Sequence, residues 1–261
     1  MIRMLQGALG VLIGLSLAMG VGQQPTAGAV PDPATSRNRP LAGIRIALDP
    51  GHQLGNSRFP RQINRLVDAG GFRKACNTTG TATNSGVPEA TVAWQVTRAV
   101  KSRLEALGAE VVLSRRANSR RLWGPCVDAR GRFAGQQGAA VLVSIHADGS
   151  AAANHGFHVI APRARSPWTT HTAKPSLRLA TTLRDALSQG GIPRSTYIGG
   201  GSALSIRSDL GTLNRSTVPV AMIEIGNMRN SADARRMTTV TGRGQYADAI
   251  TLGILQYLRR G

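Results

Sequence analysis

The chain has 261 residues, with 32 lysines and arginines against 13 aspartates and glutamates and a formal net charge of +19. The cations are nearly all arginine and are scattered singly or in pairs such as Arg115-Arg116, Arg120-Arg121, Arg235-Arg236 and Arg259-Arg260. They lack the interleaved aromatics that a single-stranded nucleic-acid groove needs, and no nucleic-acid motif accompanies them. The arginine bias also reads as GC-rich codon usage; in an exported protein, charge of this size gives screened long-range attraction to anionic envelope polymers that falls as salt rises.

In chain order, Arg3 precedes an apolar run from Leu5 to Gly22, closed by the small-residue stretch Thr26-Ala-Gly-Ala29. Residues 1–29 read as a secretory signal peptide, with an uncleaved anchor as the alternative, because the run approaches the roughly 18 to 20 apolar residues that span a bilayer. Residues 30–42, punctuated by Pro31, Pro33 and Pro40, read as a tail or linker. Residues 43–261 are long enough for one sizeable core and are expected to form one exported, monomeric domain in the periplasm or cell wall, with no separate wall-targeting module.

From Ile44 onward strands and helices alternate, which predicts an α/β fold: a mostly parallel, twisted sheet of about six strands with helices on both faces. Ile44 to Leu48 is the first strand. Residues 53–88 are polar and glycine-rich, and a loop of that length in a compact domain is usually functional or stapled. Val92, Val96, Ala99, Val100, Leu104 and Leu107 recur at helical spacing, opened by Pro88-Glu89 and stopped by Gly108. Ala109 to Leu113, Val141 to Ile145, Gly156 to Ala161 and Val220 to Ile225 are further strands. Helices are expected over Val127 to Gln137, from Pro175 to the Gly190-Gly191 stop, and from Tyr246 to Leu258. Cys76 and Cys126 are the only cysteines, a count that suits one disulfide in an oxidising compartment. Closing that loop restricts the unfolded chain by roughly 3 to 4 kcal/mol in the loop-entropy model.

Two strands end in histidine: Ile46-Ala-Leu-Asp-Pro-Gly-His52 and Val141-Leu-Val-Ser-Ile-His146. In an open α/β sheet, ligands gather beyond the carboxyl ends of the strands, so the two imidazoles can meet in one crevice. Glu89, in a first helical turn, supplies a third ligand type, and two histidines with one carboxylate are a catalytic zinc inventory that leaves a position for water. Singly, His52 also reads as a turn residue and Glu89 as a complement to the helix dipole. Glu224 interrupts the apolar strand Val220 to Ile225, and burying a carboxylate is costly unless it has a partner, a metal or a task. Asp49 and Asp148 are candidates for orienting the imidazoles or for capping turns. His155 and His158, three apart on a strand, point to opposite faces and read as structural or surface residues. His171, in a Pro- and Thr-rich loop, has no evident role.

Asp49-Pro-Gly-His52, Ser85-Gly-Val-Pro-Glu89, Ser144-Ile-His-Ala-Asp148 and Glu224-Ile-Gly-Asn227, in that order, resemble the zinc-dependent N-acetylmuramoyl-L-alanine amidases of the amidase-3 type, above all the single-domain mycobacterial ones. The resemblance spans Ile44 to the terminal helix. It implies one Zn²⁺ per chain on His52, Glu89 and His146, Glu224 as the catalytic glutamate, and peptidoglycan or muropeptides as substrate. The segment from Arg207 to Arg215 resembles the substrate-proximal stretch ahead of the catalytic strand, and Arg207, Leu213 and Asn227 are the substrate-binding candidates. Gln53-Leu54 and Asn227-Met228 depart from the family pattern and concern cleft shape, not the metal site. Two alternatives remain open: another zinc peptidase of envelope peptides, and a non-catalytic, basic wall-binding module.

Overall fold

The computed structural model describes residues 39–259, so the signal-peptide assignment and most of the expected tail lie outside the described residues. Strand β1, Arg45–Pro50, is buried along five of its six positions. It pairs in parallel with β4, Glu110–Leu113, and with β5, Leu142–Asp148. β5 pairs in parallel with β8, Val220–Asn227, which pairs antiparallel with β6, His158–Pro162; β6 in turn is parallel to β7, Leu204–Arg207. The sheet order is β4-β1-β5-β8-β6-β7, the expected mostly parallel sheet with one antiparallel pairing. β2, Leu66–Asp68, and β3, Arg73–Ala75, form a separate hairpin.

Alternation along the strands sends successive side chains to opposite faces. Ile46, Leu48, Val143, Ile145, Ile223 and Ile225 face the larger core, where they meet three helices: α2, Glu89–Ala106; α4, Ala173–Gln189; and α7, Val240–Arg259. Ala47, Leu142, Met222 and Ile160 face a thinner layer made by α3, Val127–Gln136, and the single turn α5, Gly211–Asn214. His146, Glu224 and His158 share the parity of this second face. They lie in one row across β5, β8 and β6, since Glu224 is in register with both histidines.

The structure differs from the sequence reading at several places. The 53–88 segment is not structureless: it holds a 3₁₀ turn at Asn56–Arg58, α1 at Pro60–Asn64 and the β2-β3 hairpin, elements too short to show a hydrophobic period. α6, Ser231–Thr238, was hidden by its polar sequence, although Asn230 caps it by accepting from the Ala232 and Asp233 amides. The tail is already anchored at Leu41, which is fully buried and donates its amide to the Leu107 carbonyl. Cys76 and Cys126 form the expected disulfide, tying the end of the hairpin to the start of α3. Among the described residues no helix is long and apolar enough to cross a membrane.

Candidate metal and catalytic site

His52 lies in the turn that ends β1, with a φ of 53°, a left-handed conformation costing on the order of 1–3 kcal/mol for a residue bearing a β-carbon. Two buried arginines hold that turn. Arg130, on α3, donates to the carbonyls of Pro50 at 2.8 Å and His52 at 2.6 Å. Arg115, just past β4, donates to Pro50 at 3.0 Å, Gly51 at 3.3 Å and Ala90 at 2.8 Å, joining the His52 turn to the helix that begins at Glu89. Asp49, fully buried, pairs with Arg130 and accepts from the hydroxyls of Ser114 and Ser144. Burial alone would raise the Asp49 pKa, but Arg130, His146 and the two serines bring it down to about 2. Burial lowers the Arg115 pKa to about 9, with like charge on Arg130 adding to the effect and Asp49 opposing it.

Around this frame the three expected ligands converge. Glu89 Oε1 lies 3.0 Å from His52 Nε2 and 2.9 Å from His146 Nδ1, and the ligand-type atoms of all three residues lie within 4.8 Å of one another. His52 Nδ1 faces the Thr78 carbonyl at 3.0 Å, which assigns its proton to Nδ1 and turns the Nε2 lone pair toward the cluster. Glu89 accepts from the Thr81 and Ala147 amides, so the carboxylate is pinned from two sides. Gly51 is required where the turn passes His146: a β-carbon there would come within 2.4 Å of the imidazole. Burial opposes ionisation of both His52 and Glu89, yet their mutual attraction raises the first and strongly lowers the second. Two imidazole nitrogens and a carboxylate converging on one spot form a donor set that suits a divalent metal.

Glu224 stands next to His146 across the β5-β8 ladder. One edge of it opens to the cleft, while Oε2 is sealed from solvent with no hydrogen-bond partner. Burial drives its pKa well above the usual carboxylate range, the charges of Glu89 and Asp148 push the same way, and Arg207 partly offsets them. On the far side, His158 Nδ1 is likewise buried without a partner, and burial lowers the pKa of this ring to about 4. An open cleft of about 610 Å³ carries His52, Glu89, His146 and Glu224, with Thr78 to Thr81, Gly149 and Arg229 on its walls. A narrower pocket of about 200 Å³, walled by Lys74, Leu210 and Met222, reaches the same histidines and Glu224 from the hairpin side.

The remaining sequence candidates divide. Arg207 is half-exposed, chelates Asp209 at 2.8 and 2.6 Å and acts by charge on Glu224 and Asp148. Leu213 is fully buried in the smaller core, and its place on the inner side of α5 takes it away from any ligand. Asn227 is also fully buried and spends its amide on the carbonyls of Ala151 and Asn154 and the amides of Ser150 and Arg229, which holds the loops after β5 and β8 together. These two are corrected to structural roles. Asp49 and Asp148 do not hydrogen-bond either imidazole: Asp49 works through Arg130, and Asp148 accepts from the Tyr197 hydroxyl at 3.0 Å. Thr78, Arg115, Arg130 and Tyr197 escaped the sequence reading. Arg130 carried a usable signal, since it shares the inward stripe of its helix with Gly131 and Ala134, a position where a lone charge is as conspicuous as Glu224.

A mostly parallel sheet with this cluster at its carboxyl edge places the chain among the α/β proteins whose sites form beyond the strand ends. Residues 46–256 match the Amidase_3 family model, described as N-acetylmuramoyl-L-alanine amidase, and the chain belongs to that family. It is 40% identical over 219 residues to the N-acetylmuramoyl-L-alanine amidase Rv3717 of Mycobacterium tuberculosis, a match covering 84% of this chain and 88% of that one. Its fold superposes on the crystal structure of the N-acetylmuramyl-L-alanine amidase Ami1 of Mycobacterium smegmatis with a TM-score of 0.79 at 39% identity, covering 85% of this chain and 99% of the other. The apo form of Ami1 from Mycobacterium abscessus gives a TM-score of 0.77 at 39% identity, covering 84% and 100%.

Proposed function

We propose that this amidase hydrolyses the amide between the N-acetylmuramoyl lactyl group and L-alanine of peptidoglycan, with one zinc ion held by His52, Glu89 and His146 and with Glu224 as the proton shuttle. The observation that carries the reading is Glu224, a cleft-facing carboxyl in the register position beside His146 with one oxygen left free of any partner. A bound zinc ion supplies Lewis acidity toward the amide carbonyl and toward water.

The protein's own groups do the rest. Thr78 orients His52 through Nδ1, and the Thr81 and Ala147 amides orient Glu89, so the ligand set is held before substrate arrives. Glu224 accepts a proton from the attacking water and delivers it to the departing alanine nitrogen, a step the poor amide leaving group requires. Burial and the charges of Glu89 and Asp148 raise its pKa, which supports a role as proton donor to the leaving nitrogen. Arg207, half-exposed, held by Asp209 and acting by charge on Glu224, is our candidate for meeting an anionic part of the substrate. The substrate lies outside the cytoplasm, which supports reading residues 1–29 as an export signal.

Digestion of purified peptidoglycan followed by mass spectrometry tests the bond. Peptides beginning at L-alanine and free glycan strands are expected, together with one equivalent of zinc by metal analysis. Shortened peptides still joined to sugar would identify the chain as a different envelope peptidase.

A further inference from the structure

A second groove, also about 610 Å³, lies over the edge strand β4, between α2 and α3, and shares no lining residue with the catalytic cleft. Trp94 and Phe133 supply aromatic surface in it, and Arg98 and Arg116 supply positive charge, while Lys101 is paired with Glu105 just outside; among the described residues, no carboxylate lines it. Arg98 and Arg116 are exposed, and neither has a carboxylate within ion-pair reach among the described residues. The Trp94 ring centroid is 5.9 Å from the Arg98 guanidinium and 4.9 Å from that of buried Arg115. Arg115 anchors Trp94 to the same turn that carries His52, so the groove has a rigid wall.

We infer that this groove is an accessory site for a second, uncut stretch of the polymer, taking the saccharide rings on Trp94 and Phe133 and the stem-peptide carboxylates on Arg98 and Arg116. The inference rests on the amidase reading, because that reading defines the polymer. The chemistry is complementary at each point. Sugar faces present C–H groups that pack on aromatic rings, as other apolar bodies with polar rims do. Unpaired guanidinium groups bind carboxylates through charge-assisted, often bidentate, hydrogen bonds. The strip of positive charge with no acid in its lining also repels no part of an anionic strand. An enzyme that holds one strand while cutting another stays near its substrate without a new contact at the scissile bond.

The test uses the full chain in the Glu224→Gln background for binding and the unaltered site for turnover. Soluble, uncrosslinked peptidoglycan strands are titrated into the parent, into Arg98→Glu/Arg116→Glu, and into a charge-matched control, Lys174→Glu/Arg235→Glu, placed on α4 and α6. The groove variant is expected to bind strands about tenfold more weakly than the control. It should also digest polymeric peptidoglycan more slowly, while cleaving a soluble muramoyl dipeptide within about twofold of the parent, because the sites are separate. Equal strand binding by the groove variant and the control would overturn the inference. So would binding of inorganic polyphosphate or single-stranded DNA by the parent as tightly as strands, which would reduce the groove to unspecific charge. Failure of the parent to cleave the muramoyl dipeptide would defeat the amidase reading, and the binding arm would still decide the groove.

Discussion

The turn that carries His52 and the strand that carries Glu224 both face the cleft, and they are built in opposite ways. Around His52 every polar group has a partner: Arg130 and Arg115 take the turn carbonyls, Asp49 neutralises Arg130, and Thr78 takes the ring. Around Glu224 the partners are withheld, since its Oε2 and the Nδ1 of neighbouring His158 are both buried and unpaired. Orphaned buried groups are rare because each forfeits the hydrogen bond it would make in water. The saturated region holds a strained backbone in one geometry; the unsaturated one keeps a carboxyl free to change its proton.

If that contrast is right, substitutions in the two regions fail differently. Glu224→Gln preserves shape and removes the proton acceptor, so turnover on a muramoyl dipeptide should fall by roughly 10² to 10⁴ with stability and zinc content retained. Near-normal turnover in a zinc-loaded Glu224→Gln protein would shift the search for the base to Asp148. Arg130→Met attacks the saturated side. It leaves Asp49 buried without its counter-charge and should cost about 3–5 kcal/mol in urea unfolding, with weaker zinc retention in competition with a chelator. Arg130→Lys keeps the charge but not the fork of donors, and partial recovery of zinc affinity without full stability would show that the geometry of the clamp matters as well as its charge.

Smaller effects sharpen the same boundary. The Cys76–Cys126 bridge, spanning 50 residues, closes the segment that presents Thr78 and ties the end of the hairpin to the start of α3. Its removal by Cys76→Ala/Cys126→Ala is expected to lower stability by about 2–4 kcal/mol. Two free thiols in the unreduced protein, by titration, would remove the staple from this account. The acid response comes last. With its folded-state pKa lowered to about 2 from 3.8, Asp49 contributes stability that is fully present above 3.8 and is lost as pH falls through about 2. That shift corresponds to about 2 kcal/mol, read as the difference in acid sensitivity between the parent and Asp49→Asn from pH 5 to pH 2. Equal slopes for the two proteins in that window would mean that Asp49 is not held by Arg130 in solution.

Much of this was legible beforehand because it depends on local patterns. Short apolar runs marked five of the six sheet strands, helical spacing marked α2 and α4, and chemically conspicuous residues at strand ends or inside apolar runs marked His52, His146 and Glu224. β7 did not register because it is a short, half-exposed edge strand whose pairing to β6 is made by the sheet and not by its composition. Leu213 and Asn227 were misjudged for a related reason: a residue near the cleft in sequence can still point into the core, and only packing decides which way it faces.

What the amino-acid sequence determined by itself was the class of fold, the pair of cysteines and the residue types able to bind a metal and move a proton, all of which follow from periodicity and from the cost of burying charge. The tertiary structure alone decided which groups serve them. The partner of His52 is a carbonyl from a loop 26 residues away, and the guanidinium groups that hold its turn come from α3 and from the end of β4. Such contacts join backbone atoms, which every residue type possesses, so no sequence pattern reports them until the chain has folded.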